Sequence, residues 1–120
     1  MRQLGVLEGV VMNELWAAGG SGTVREMVDR LRTQRDLAYT TILSTMGNLV
    51  EKGYLTRTPE GRAHRYHAVM TRAGYAAQLM REAMVRGGNS DLVLLQFAEG
   101  LTVEQQDRLK RALGGSNDSA

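Results

Sequence analysis

The sequence predicts a mainly α fold of the α+β class, and three features of its 120 residues lead to that expectation. Three segments before residue 54 have the apolar spacing of amphipathic helices. Two β-prone runs, 54–58 and 62–69, flank the turn-forming residues 59–61 and read as a hairpin. Three further helical segments follow residue 70. We therefore expect three helices, a hairpin and then three more helices.

Composition limits the classes of protein to which the chain can belong. Hydrophobic residues make up 42% and aromatic residues 5%, so the core must be largely aliphatic. There is no cysteine, which excludes disulfides and thiolate metal sites and fits a reducing compartment. No apolar run approaches the ~20 residues of a membrane span, and the N-terminus lacks the apolar core of a secretory signal. We expect a cytoplasmic protein that is not embedded in a membrane.

The small positive charge is concentrated in the first part of the chain. Residues 1–70 contain nine Lys or Arg and seven Asp or Glu, whereas residues 71–120 contain six of each. This distribution is a weak electrostatic footprint of a nucleic-acid binder, which a dimer would double.

The first two helices follow from apolar spacing and from their end signals. An apolar stripe over residues 5–18 predicts the first helix, with Trp16 beside the stripe as a core anchor. The glycine-rich residues 19–22 end it. Thr23 and Glu26 form a capping-box pattern that begins the second helix.

The third helix is expected to begin at an Asp36 cap and to have two unlike faces. Ile42, Met46 and Leu49 recur at the spacing of one buried face, and short polar side chains fall on the other. Two helices on a short turn, the second with a small polar face, form a helix-turn-helix suited to a DNA major groove. The predicted DNA contacts on this helix are Tyr39, Thr40, Thr41, Ser44, Thr45 and Asn48.

Two residues of this helix have open interpretations. Tyr39 can either pack within the protein or touch a phosphate. Gly47 weakens the helix by about 1 kcal/mol relative to alanine. Its missing side chain could allow another surface to approach closely, and the sequence does not say which surface.

The basic hairpin after the third helix is interpreted as the wing of a winged-helix domain, able to touch phosphates or the minor groove. Arg62, His64 and Arg65 are its candidate contacts. The spacing His64-x-x-His67 does not predict a metal site, because residues three apart on a strand point to opposite faces. We find no catalytic constellation and no phosphate-binding or dinucleotide-binding loop, and expect neither an enzyme nor a cofactor.

The remaining residues predict three short helices and a polar tail. Thr71 caps a helix that runs to Arg86, Ser90 or Asp91 opens an apolar segment, and Thr102 begins a last helix. We divide the chain into a winged-helix domain (1–70), a helical dimerisation region (71–113) and a disordered tail (114–120).

The apolar residues of the last three helices predict a homodimer. Three short helices offer too little area for an independent core, so a second copy is the expected cover. The predicted interface residues are Met80, Met84, Leu92, Leu94, Leu95, Phe97, Leu109 and Leu113.

Two parts of the sequence resemble a known family of proteins. The stretch DLAYTTILSTMGNLVEKGYL followed by GRAHRYHAV resembles the penicillinase-repressor family, of the BlaI/MecI type with the copper-responsive CopY relatives. LVLLQFAEG and the helix over residues 102–113 resemble the C-terminal half of that family.

This resemblance implies a transcriptional repressor that binds a palindromic operator in double-stranded DNA as a dimer and is linked to antibiotic resistance. In the family, a membrane-bound sensor that detects β-lactam leads to cleavage of the repressor next to a phenylalanine. The matching bond here is Gln96–Phe97, where asparagine often stands in place of Gln96. Asn48 stands where arginine is common, and the copper-binding cysteine motif of the CopY relatives is absent.

Two other functions fit the same sequence. A small apolar ligand between the fourth helix and the fifth segment would make a ligand-controlled regulator. Alternatively, the winged helix could dock a protein, in which case binding would not fall steeply with salt as DNA binding does.

Overall fold

The computed structural model describes residues 4–114, which form six helices and a three-stranded antiparallel sheet. The elements in chain order are α1 (Val6–Ala17), β1 (Ser21–Thr23), α2 (Val24–Leu31), α3 (Tyr39–Glu51), β2 (Leu55–Glu60), β3 (Ala63–Ala68), α4 (Arg72–Arg86), α5 (Ser90–Glu99) and α6 (Val103–Ala112). The expected winged helix-turn-helix arrangement and the mainly α, α+β class are confirmed.

The sheet contains a strand that sequence patterning did not predict. Its order is β1-β3-β2, and Gly22 of β1 pairs with Tyr66 of β3. A Cβ on Gly22 would lie 2.6 Å from Cε of Met27, so any larger residue here would displace the end of that side chain from its place between β1 and α2. A three-residue strand has no measurable alternation of its own, which is why the residues read only as a loop.

The hairpin turn lies two residues later than expected. Pro59 and Glu60 belong to β2 and pair with His64 and Ala63, so the turn consists of Gly61 and Arg62. Gly61 has φ +62°, a left-handed conformation that glycine adopts without strain. The prediction that residues 59–61 form the turn was wrong because β2 is an edge strand, where the missing N–H of proline is tolerated.

The helix starts confirm three predicted caps and correct one. The boxes at Thr23 and Thr102 form, and Oγ1 of Thr71 accepts a hydrogen bond from Gly74 N at 3.0 Å. Asp36, however, does not cap α3, which begins after Ala38 without a side-chain cap. Leu37 packs against the core between them, so packing rather than capping determines that start. Helix α5 begins at Ser90, as expected, and Asn89 caps it, because the Asn89 Oδ1 accepts a hydrogen bond from Leu92 N at 3.1 Å.

The chain divides into two compact units, Met1–Ala76 and Ala77–Ala120. The first has a core of aliphatic, methionine and tyrosine side chains from α1, α2, α3 and the sheet. Trp16 packs against that core and donates from Nε1 to the Met70 carbonyl at 2.9 Å, as expected of an anchor. Tyr75, at the start of α4, lies 5.6 Å from the Trp16 ring and 5.7 Å from the Tyr54 ring, measured between centroids.

In the second unit, none of the described residues of α5 or α6 is buried. A close approach of α5 to α4 depends on Gly87, where a Cβ would lie 2.5 Å from Cγ2 of Val93.

The division of the chain at residue 70 into two functional domains stays a prediction. The predicted tail falls on residues 115–120, apart from Gly114, and so lies outside the described residues. No helix within residues 4–114 is long and apolar enough to cross a membrane.

Candidate nucleic-acid interface

Helix α3 is held by its inner face and presents its outer face to solvent. Ile42, Met46 and Leu49 are completely buried, and α3 packs against α1, α2 and β2. The helix ends at a Lys52 cap followed by Gly53 with φ +86°, as the sequence predicted. Lys52 Nζ donates to Glu8 Oε1 at 2.6 Å, which ties this end of α3 to the start of α1. The orientation of α3 is therefore fixed from behind and at its end.

The outer face of α3 is a stripe of exposed residues at helical spacing. Most of it is uncharged, with hydroxyl and amide groups that can donate and accept hydrogen bonds to base edges. The stripe consists of Thr40, Leu43, Ser44, Asn48 and Glu51, with Gly47 in its middle. Leu43, which is 43% exposed, was not among the predicted contacts although it stands in the polar stretch of the sequence.

Thr45 does not belong to this stripe. It is only 6% exposed, and its hydroxyl donates to the Thr41 carbonyl at 2.8 Å. The sequence placed Thr45 with the polar face because threonine is polar. Its side chain is, however, one helical position beyond the exposed Ser44, and it lies on the buried side of α3. We therefore remove Thr45 from the proposed DNA contacts, and Thr41 is half-buried beside it.

The start of α3 is flanked by a cation that sequence reasoning missed. The guanidinium carbon of Arg25, from the first turn of α2, lies 4.9 Å from the centroid of the Tyr39 ring. This cation–π contact orders both side chains while leaving the guanidinium donors available. The signal in the sequence was the position of Arg25 two residues before the buried Met27, which points it away from the core.

The wing presents two arginines without ion-pair partners among the described residues, one in its turn and one on β2. Arg62 occupies the two-residue turn, and both Arg62 and Arg57 are exposed. Within residues 4–114, neither has a carboxylate within ion-pair distance. His64 is exposed beside them.

Arg65 is the exception among the wing residues, because it is already occupied. Its guanidinium donates to Glu26 at 3.2 and 2.9 Å and to Glu60 at 2.8 and 3.1 Å. Hydrogen bonds from Arg65 lower the pKa of Glu26 and of Glu60, and the two carboxylates raise the pKa of Arg65. Arg65 thus links β3 to β2 and to the start of α2, and it is a positioning residue for the wing rather than a free phosphate contact.

The histidines do not converge on a metal site. His67 Nε2 lies 3.0 Å from Thr58 Oγ1, across the hairpin, while His64 is on the other face of β3. No group of three histidine, cysteine, aspartate or glutamate side chains suited to a metal ion occurs in the described part of the chain.

The residues predicted for the dimer interface lie mostly on open surface of the second unit. Met84 is half-buried, and the others are between 41% and 78% exposed, with Leu109 and Leu113 at those limits. Helices α4 and α5 enclose an apolar groove of about 270 Å³, lined by Ala77, Met80, Arg81, Met84, Val93, Leu94 and Phe97. The Gln96–Phe97 bond lies inside α5 and is therefore in helical conformation.

Comparisons with known proteins agree with this architecture. The sequence model of the family described as penicillinase repressor matches residues 4–114. The transcriptional regulator BlaI of Mycobacterium tuberculosis, from two strains, is 35% identical over 116 residues, which cover 94% of this chain and 84% of the relative.

Two solved structures with the same fold are more distant. The organohalide-sensing RdhR transcriptional regulator, with bound 2,4-dichlorophenol, has a TM-score of 0.50 at 15% identity, covering 98% of this chain and 65% of that one. A MarR mutant from E. coli has a TM-score of 0.50 at 16% identity, covering 95% of this chain and 78% of that one. At such identities the likeness shows the fold alone.

Proposed function

This chain belongs to the penicillinase repressor family, and on that premise we propose that it represses transcription as a homodimer bound to a palindromic operator. The observation that supports DNA binding best is the two-sided α3. Its inner face is locked in the core, and its outer face offers Thr40, Ser44 and Asn48. These groups read base edges in the major groove, and Thr41 contributes from the edge of the stripe.

The phosphate contacts come from the elements on either side of α3. Arg25 and Tyr39 lie at its start, and Arg57, Arg62 and His64 lie on the wing. Such contacts carry no sequence information but determine register and contribute much of the affinity. Base discrimination is left to the uncharged residues of the α3 stripe.

The exposed apolar surface of the second unit supports the proposed dimerisation. Leu92, Leu94 and Leu95 are each more than half exposed, and Phe97 is 45% exposed. A monomer in water would keep this surface hydrated, whereas a twofold copy buries it. To enter successive major grooves of an inverted-repeat operator, the dimer would need to hold its two α3 helices about 34 Å apart.

The proposed inactivation is cleavage of the Gln96–Phe97 bond by a sensor-protease pathway that responds to β-lactam or another cell-envelope signal. The cut would divide α5 within the apolar surface that holds the dimer. Because the bond is helical, α5 must unwind locally before a protease can bind it in extended form. Incubation with the cognate sensor, followed by mass spectrometry of the fragments, tests this, and a cut at any other bond contradicts it.

The groove between α4 and α5 supports a second candidate signal, a small apolar ligand. Its lining is almost entirely aliphatic, methionine and phenylalanine side chains. A ligand that binds only the folded protein raises its melting temperature, so a thermal-shift screen of apolar compounds distinguishes this signal from proteolysis.

The test of the proposed function is selection of bound sequences from random duplex DNA by the full chain. An inverted repeat with half-sites about one helical turn apart is expected. If selection returns no preferred DNA sequence, and the protein instead binds a protein partner with an affinity that high salt does not lower, a protein-docking module is favoured.

A further inference from the structure

Gly47 is a glycine that the fold does not need. It lies in the middle of α3, and a Cβ built on it meets no heavy atom within 4 Å. Its φ is not positive, so the backbone does not require glycine either. Glycine is the least favourable residue in a helix interior after proline. A helix with a free choice at this position would therefore be more stable with almost any other residue.

The missing side chain of Gly47 lies on the exposed stripe of α3. Leu43 lies one turn before it, and Ser44 and Asn48 lie on either side along the same face. Since positions three and four apart are neighbours on a helix, the missing side chain leaves a depression bordered by the exposed side chain of Leu43. Neither Leu43 nor Gly47 has a side-chain hydrogen-bonding group, so the part of the stripe that these two residues form is apolar.

We propose that Leu43 and Gly47 together bind the 5-methyl group of a thymine in the major groove, with Gly47 letting the helix approach that base pair closely. Among the four bases only thymine presents a methyl group there, and apolar side chains recognise it by contact. The site thus reads one thymine in each half-site, between the positions contacted by Ser44 and Asn48. This inference rests on the proposed DNA binding.

The chain contains a matched control for the glycine. Gly9, inside α1, is also half-buried, and a Cβ there also meets nothing within 4 Å. Gly9→Ala and Gly47→Ala should raise the melting temperature similarly, because both remove a helical glycine without creating a clash. Only Gly47→Ala should weaken operator binding, by about tenfold or more, as a misfit at a base contact does.

The decisive experiment replaces thymine by uracil, which lacks only the 5-methyl group, at each position of the selected half-site in turn. For the wild-type protein, one position is expected to lose about fourfold in affinity per half-site, the value of one buried methyl group. For Gly47→Ala, the same replacement should change affinity less than twofold, because the alanine methyl already prevents α3 from contacting the thymine methyl group.

The outcomes separate this inference from the proposed function. If wild type and Gly9→Ala bind no selected DNA, the proposed function fails. The thymine-methyl site is refuted, while DNA binding stands, in either of two cases. In the first, Gly47→Ala binds the selected DNA as tightly as wild type and Gly9→Ala do. In the second, the loss of affinity caused by Gly47→Ala and the loss caused by uracil are fully additive.

Discussion

Removing one wing cation should change the salt dependence of DNA binding by an amount that the structure sets. Arg62 occupies the wing turn and has no carboxylate partner in the part of the chain that the structure describes. Each phosphate neutralised contributes about −0.9 to the slope of log K against log salt concentration. Because the proposed homodimer would carry the change twice, Arg62→Gln should reduce the magnitude of the slope by about 1.8.

The corresponding difference in affinity is large enough to measure. Between ~50 and ~200 mM salt, a slope difference of about 1.8 means that the wild type loses about twelvefold more affinity than the variant. Fluorescence anisotropy with a labelled operator duplex, titrated at several salt concentrations, gives both slopes. A decrease of about 0.9 would indicate that a single subunit meets the DNA.

Arg65→Gln is the matched control, since it removes an equal charge from the neighbouring strand. Arg65 already donates to Glu26 and Glu60, so its loss should reduce the slope by less than half of the Arg62 effect. Equal decreases for the two variants would refute the distinction between a free and an occupied wing cation. No decrease for Arg62→Gln would remove the wing from the proposed interface.

Three further predictions concern the core side of α3, the wing contacts and the dimer. Thr45→Val should leave operator affinity unchanged and unfolding free energy within about 1 kcal/mol in urea titrations, because its hydroxyl bonds only within the helix; a tenfold loss of affinity would return Thr45 to the DNA face. The lowered pKa values of Glu26 and Glu60 mean that the Arg65 contacts stabilise the fold above the usual glutamate pKa of about 4.3 and lose this effect as pH falls through the lowered values. Arg65→Met should therefore have a flatter acid limb in melting temperature against pH, and an unchanged limb would contradict the ion-pair account. Phe97→Asp should yield a monomer by analytical ultracentrifugation with unchanged near-ultraviolet circular dichroism, and a persistent dimer would exclude the α5 surface as its interface.

Sequence patterning predicted much of the local structure because the relevant signals are short in range. The capping boxes at Thr23 and Thr102 and the stop at Gly53 depend on residues within one helical turn, and all of them form. The hairpin was placed correctly between α3 and α4, but its turn was not, because Pro59 is compatible with either a turn or an edge strand.

The candidate site was less predictable than the fold. Periodicity identified α3 and its two faces, yet it assigned Thr45 to the wrong side and did not include Leu43 in the exposed stripe. Polarity is only a proxy for exposure, and one residue along a helix rotates a side chain by about 100°. The DNA contacts that remain, the dimer interface and the cleavage bond stay predictions.

The amino-acid sequence alone determined the order of the six helices and the hairpin, the buried face of α3 and the basic character of the wing, because these depend on periodicity and local chemistry. Only the tertiary structure decided which cations are free. Arg65 and Arg62 look equivalent along the chain, but Glu26 is thirty-nine residues from Arg65 and reaches it only after folding, at 2.9 Å. A side chain's availability depends on neighbours distant in sequence, and such pairs leave no local pattern to read.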